Sequence, residues 1–162
     1  MREAIREAEK AAGHGDIPIG AVIVKDGEIV GRGANRVEID RDPTRHAEMI
    51  AIGEAAKSLG NQRLTGCSMY VTVEPCSMCA GACVLARLDA VYAGASSPKS
   101  GAAGSVKDIL TAPGLNHQMY YEAGILEEEC SAMLSGFFEK LRNGPEDDTM
   151  RGSDKDEDSD RS

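Results

Sequence analysis

Tyr70-Val71-Thr72-Val73-Glu74-Pro75-Cys76-Ser77-Met78-Cys79-Ala80-Gly81 is the stretch that decides the fold. Val71 and Val73 are β-branched and apolar, as a central strand prefers. Pro75 cannot donate to a sheet ladder, but its fixed φ suits the first turn of a helix. The stretch therefore predicts a buried strand that stops at a proline and a helix whose first turn carries two cysteines. Cys76 and Cys79 lie three apart, so both sulfurs can face one point. A helix N-terminus also favours thiolates. Taken alone, a Cys-x-x-Cys is weak evidence, open to a redox pair or half of a structural zinc knot.

A second half lies upstream, in Asp42-Pro43-Thr44-Arg45-His46-Ala47-Glu48. It too is a proline and a polar cap before a helical pattern. Residues two apart share no helix face, yet at the very start of a helix both can reach a ligand beyond its end. His46 is the candidate ligand, and Glu48 addresses what the metal holds. With Cys76 and Cys79 this makes three zinc ligands and one open position, the count expected of a catalytic and not a structural zinc. A purely structural zinc has no use for Glu48.

The 162 residues predict one domain, and 41% apolar content is ordinary for a globular chain. No apolar run approaches the ~20 residues of a membrane span. The start, Met1-Arg2-Glu3-Ala4-Ile5-Arg6, has no apolar secretory core, so no signal peptide is expected. Five cysteines with one Cys-x-x-Cys point to a reducing compartment and metal or redox use. The net charge of -9 is uneven: residues 143–162 carry -5 and residues 1–142 carry -4, so neither part shows a global basic footprint for nucleic acid.

In order, residues 2–12 read as an amphipathic helix through Ala4, Ile5, Ala8, Ala11 and Ala12. Residues 17–24 read as a strand buried on both faces. Asp26-Gly27 signals a hairpin turn, with a second strand over 28–33. A helix over 45–59, capped by Thr44 or Asp42, ends at Gly60-Asn61. Then come a strand over 67–73, a helix over 76–87 and a short strand over 89–94. A Gly/Ser-rich loop over 96–105, a helical turn near 106–110 and a loop over 111–118 follow. The chain closes with a short strand over 119–122 and a helix over 125–142. Two domain-level units result: a folded domain over 1–142 and an acidic, disordered tail over 143–162. The expected fold class is α/β, a three-layer α/β/α sandwich with a central mixed five-stranded sheet.

The remaining chemistry-bearing residues have bland readings. Cys83, among Ala82, Val84 and Leu85, is expected as a buried small hydrophobe, and Cys67 and Cys130 as packing. His117 is divided between a substrate groove and a loop hydrogen bond. Of Phe137 and Phe138, one is assigned to the core, and the other is open to a base-stacking role.

His46-Ala47-Glu48 with Pro75-Cys76-Ser77-Met78-Cys79 resembles the signature of zinc nucleobase deaminases. Four further segments make the likeness narrower: Ile17-Pro18-Ile19-Gly20-Ala21, Glu74 to Ala82, Lys99-Ser100-Gly101-Ala102-Ala103-Gly104-Ser105, and Pro113-Gly114-Leu115-Asn116-His117. Over residues 2–142 the chain is similar to the bacterial tRNA-specific adenosine deaminases of the cytidine-deaminase-like superfamily. The resemblance implies hydrolytic deamination of adenosine to inosine at the wobble position of a tRNA anticodon. It also implies one Zn2+ per subunit, a homodimer, a cytoplasmic location and the tRNA anticodon arm as partner. It makes His46, Cys76 and Cys79 the zinc ligands, Glu48 the proton shuttle and Asn35 the reader of the base edge. The free N–H of Ala47 would donate to the new oxygen.

Lys99 and Ser97 stand at the loop expected to contact backbone and ribose, and there the family commonly has an acidic residue where this chain has Ser97. Glu139 and the acidic tail, where the family's last helix is often basic near its end, are a second departure, and the tail is expected to weaken non-specific RNA binding through its charge. Two rivals stay open: a free nucleobase or nucleoside deaminase with the same zinc chemistry, and a zinc-stabilised RNA-binding module without catalysis.

Overall fold

The computed structural model describes residues 1–144. Its elements are α1 (Arg2–Gly13), β1 (Gly20–Lys25), β2 (Glu28–Ala34), α2 (Val37–Asp40), α3 (Ala47–Leu59), β3 (Cys67–Val73), α4 (Ser77–Leu85), β4 (Ala90–Ala95), β5 (Tyr120–Glu122) and α5 (Glu127–Asn143). One five-stranded sheet runs in the order β2-β1-β3-β4-β5. β1 is antiparallel to β2 and β3, while β3, β4 and β5 run parallel. The sheet is mixed, as expected. The parallel half follows from the crossover of α4 between β3 and β4, which a two-residue turn could not make.

Alternation along the strands sorts the helices into two layers. Ala21, Ile23, Met69 and Val71 face one way, and with Ala47, Ala51 and Ala55 of α3 and Cys83 of α4 they form the main core. The opposite face meets α1 at Gly20 and α5 at Gly94, where Cys130 sits. Small residues set the spacing. A methyl group on Gly33 would lie 2.0 Å from the Ala47 carbonyl oxygen, and one on Gly31 would lie 2.3 Å from that of Ala51. β2 therefore lies directly against the backbone of α3, the helix that begins at the candidate site. Gly33→Ala is expected to lower Tm by several degrees: overpacking costs about 1–3 kcal/mol, and each kcal/mol is worth ~2–4 °C in a domain this size. Thermal unfolding checks this, and an unchanged Tm would mean that the sheet and helix part freely.

The structure corrects several boundaries. β1 begins at Gly20, not at residue 17. Pro18 offers no N–H to a ladder, and the carbonyls of Ile17 and Ile19 are taken by Asn35, through its side-chain amide at 3.4 Å and its backbone N–H at 3.0 Å. Thr44 and Asp42 do not cap α3. The Asp42 carboxylate instead accepts from the Thr44 N–H and hydroxyl, and His46 takes the N-cap position with extended backbone, φ -70 and ψ 152. Residues 106–110 are irregular, with a bend at Val106 and an isolated bridge from Asp108 to Ala103, instead of a helical turn. α2 was not anticipated. It is held by Asp16, a fully buried carboxylate that accepts from the Glu38 and Ile39 N–H groups at 2.8 and 3.3 Å. Of the tail over 143–162, only Asn143 and Gly144 fall among the described residues.

Candidate metal centre

Two chain segments stop being strand or loop and become helix at the same place. His46 precedes α3 and Cys76 precedes α4, each with extended backbone. That conformation turns both side chains off the helix ends, toward each other, while Cys79 reaches the same point from the first turn of α4. The three ligand atoms lie within 4.8 Å of one another. Nδ1 of His46 is 3.6 Å from Sγ of Cys76 and 3.5 Å from Sγ of Cys79.

The donor set fits zinc. Zn–S bonds of ~2.3 Å and Zn–N bonds of ~2.0–2.1 Å at the tetrahedral angle separate S from N by about 3.5 Å. Those are the two distances observed. Two sulfurs and one imidazole nitrogen are also the borderline-soft donors that zinc takes. The thiol chemistry points the same way. Hydrogen bonds from Cys79 and His46 pull the Cys76 thiol down to about 3, while the Cys76 sulfur, together with burial, pushes Cys79 up. The hydrogen bond to Cys76 raises His46. Crowded sulfurs that cannot both ionise alone are arranged for a cation to share. The set suits one Zn2+ per chain, with three protein ligands.

Glu48 follows on α3 and is buried, with 4% of its surface exposed. Burial pushes its carboxyl up to about 7, against the pull of its own backbone N–H, His46 and the Cys79 thiol. A carboxyl near neutrality both takes and gives a proton at working pH. His46, Ala47, Glu48 and Cys76 share a cleft of about 210 Å3 with Asp16, Ile17, Asn35, Glu74, Ser97 and Ser100.

The expected residues are thus largely brought together. Asn35 lies on the cleft wall, 5% exposed. Ala47 opens α3, so no carbonyl of its own helix reaches its N–H. Ser97 reaches the cleft, but its N–H donates to Glu74 at 3.0 Å and its hydroxyl is 2.9 Å from that of Ser100. Lys99 does not line the cleft. It stands outside, lining one neighbouring hollow with Cys76, Ser77, Met78 and Lys107, and another with Phe138 and Arg142. Its long exposed chain leaves the charge in water at the rim.

The packing readings of the three remaining cysteines held, while the expectation that one of Phe137 and Phe138 is core did not. Cys67, Cys83 and Cys130 are buried free thiols, and Cys83 lies 4.0 Å from the Met69 sulfur. His117 pairs its Nε2 with the Leu88 carbonyl at 2.7 Å, a loop contact. Phe137 is half-buried and not core, and Phe138 is 40% exposed. Sequence reasoning missed Asp16 and Glu74 as builders of the cleft. An acid ending an apolar strand, as in Val73-Glu74-Pro75, was the available signal for Glu74.

Comparison with known proteins agrees with the geometry. The family model for the cytidine and deoxycytidylate deaminase zinc-binding region matches residues 1–95. The tRNA-specific adenosine deaminase of Bacillus subtilis (strain 168) is 51% identical over 142 residues, covering 88% of both chains. That of Aquifex aeolicus (strain VF5) is 49% identical over 143 residues, covering 88% of this chain and 94% of its own. A solved structure from work on A-to-I editing by tRNA:A34 deaminases at the wobble position superposes with a TM-score of 0.80 at 40% identity, over 83% of this chain and 97% of that one. Since identity near one half runs through the zinc-binding segments and on past β5 into α5, the chain belongs to the tRNA-specific adenosine deaminases within the cytidine and deoxycytidylate deaminase zinc-binding family.

Proposed function

We propose that the chain catalyses zinc-dependent hydrolytic deamination of adenosine to inosine at the wobble position of a tRNA anticodon. The observation that carries it is a buried carboxyl, Glu48, beside a three-ligand zinc centre at the bottom of a small cleft. At about 210 Å3 the cleft is below the ~300–1,000 Å3 of ordinary small-molecule pockets. That suits one base turned out of its stack, with sugar and phosphates left outside.

Zinc, when bound, supplies Lewis-acid activation of water at neutral pH. The chain's residues do the rest. Glu48 takes the proton that water loses as its oxygen joins the amino-bearing carbon of adenine. The same carboxyl passes that proton to the ring nitrogen, then takes the proton left on the added oxygen and gives it to the amino group, so that a C=O bond forms as the C–N bond breaks and ammonia leaves. The Ala47 N–H donates to the incoming oxygen. Asn35 offers a donor and an acceptor to the purine edge. Outside, Lys99, Lys107 and Arg142 supply cations for phosphates, and Phe138 an exposed ring.

The partner is the anticodon arm of a tRNA. A homodimer is in keeping with apolar Leu85, which is 82% exposed at the end of α4. A cytoplasmic location is in keeping with five free cysteines. Among the described residues no helix is long and apolar enough to cross a membrane.

Purified chain offered an anticodon stem-loop with adenosine at the wobble position, and separately free adenine, guanine and cytosine, is expected to make inosine in the stem-loop alone. Turnover of a free base with the stem-loop untouched would replace the proposal by a nucleobase deaminase. Asn35→Ala is expected to cut kcat/KM on the stem-loop about ten- to hundredfold, from the ~1–3 kcal/mol of a bidentate base contact. A fall in Tm with kcat/KM kept would make Asn35 structural.

A further inference from the structure

We infer that Glu74 is a positioning residue, whose carboxylate sets the 97–105 loop against the metal centre and so fixes the wall on which the substrate is aligned. The inference rests on the proposed activity and adds a residue to it.

Glu74 directly follows β3, two residues before Cys76, and is 5% exposed. Among the described residues it pairs with no cationic side chain. Its Oε2 accepts the Ser97 N–H at 3.0 Å. Its Oε1 accepts the Ala103 and Ser105 N–H groups, each at 3.0 Å, and the Ser105 hydroxyl donates to Oε2. Four donors from one irregular loop converge on one carboxylate. A charged acceptor with several lone pairs is the group that can hold that many amides at once.

The loop is shaped around the carboxylate. A methyl group on Gly101 would fall 2.4 Å from the Glu74 carboxyl carbon. The Ala102 N–H donates to the Pro75 carbonyl at 2.8 Å, and Gly101 forms an isolated bridge with Cys76. The segment Glu74-Pro75-Cys76 thus grips the loop at three successive residues, of which the last is a metal ligand. The loop in turn places Ser97 and Ser100 on the cleft wall. Movement of the wall relative to the zinc ligands changes where a base sits against Glu48, and a misplacement of ~1 Å can cost about a hundredfold in rate.

Glu74→Gln keeps the shape but turns an NH2 group toward an N–H donor, and Gly101→Ala pushes on the same carboxylate from the other side. For zinc-loaded protein well below its Tm, each change is expected to raise KM for the anticodon stem-loop about tenfold or more while zinc content stays at the wild-type level. The double variant is expected to lose no more than the worse single one, because both break one clamp. Glu74→Asp, which keeps the charge, should recover part of the loss. Hydrogen exchange is expected to speed up at the Ser97, Ala103 and Ser105 amides and not elsewhere.

Unchanged KM and kcat in Glu74→Gln overturns the inference. So does a loss of activity that only follows lost zinc or lost fold. Wild-type protein inactive on every stem-loop defeats the proposed activity instead. The clamp is then judged by exchange alone: unchanged loop amides reject it, and fast exchange confined to them upholds it.

Discussion

Glu48→Ala is expected to retain zinc and fold and to lose turnover. Removing a general acid–base group costs about 10²- to 10⁴-fold, and in the proposed mechanism Glu48 serves both directions of proton transfer, so the upper part of that range applies. Its surroundings explain why no neighbour replaces it. The titratable groups that act on it are His46, Cys76 and Cys79, the proposed zinc ligands, and Glu48 itself is buried. Folding should tolerate the change, because a carboxyl pushed up to about 7 by burial gains little from being there. Single-turnover kinetics on a stem-loop, with zinc measured on the same sample, checks the expectation. Retention of most activity would remove Glu48 from the chemistry.

His46→Ala is expected to have an effect of similar size by a different route, through the loss of zinc itself. Two sulfurs would remain, and the imidazole that sits 3.5–3.6 Å from both would be gone. Metal stoichiometry should fall from about one per chain to near zero. A ligand held at 1,000 times its Kd adds about 4.1 kcal/mol to the stability of the folded state. Wild-type protein should therefore gain Tm on adding zinc, and His46→Ala should gain none. Full zinc content in the variant would show that His46 is not a ligand.

These residues were legible because their positions follow from local chemistry. Pro75 ends a strand and opens a helix wherever it stands, so Cys76 and Cys79 had to lie at a helix start. Asp42-Pro43 placed His46 and Glu48 at another. The apolar run over 17–24 and the β-branched Val71 and Val73 likewise signalled strands in the middle of a sheet. The order of elements then required a mixed sheet between two helical layers.

What was not legible depends on partners distant in sequence. The 97–105 loop takes its shape from Glu74, 23 to 31 residues away. α2 takes its first hydrogen bonds from Asp16, 22 and 23 residues away. The local sequence marks Glu74 as an acid after an apolar strand, but nothing local announces the partners of either carboxylate. The misplaced cap of α3 has a similar source. Thr44 and Asp42 are good capping residues, yet His46 holds the N-cap because only there does its ring reach the sulfurs. That Lys99 stands at the rim, with Lys107 in one hollow and Arg142 in another, and not on the cleft wall, depends likewise on the path of the loop.

The most direct test of the central claim is sequencing of tRNA after incubation with zinc-loaded chain, with zinc-stripped chain, and with stripped chain given zinc again. The account predicts inosine, read as guanosine, at the wobble position of an adenosine-bearing anticodon in the first and third samples and adenosine in the second. Adenosine intact in all three, or inosine formed equally without zinc, would contradict it.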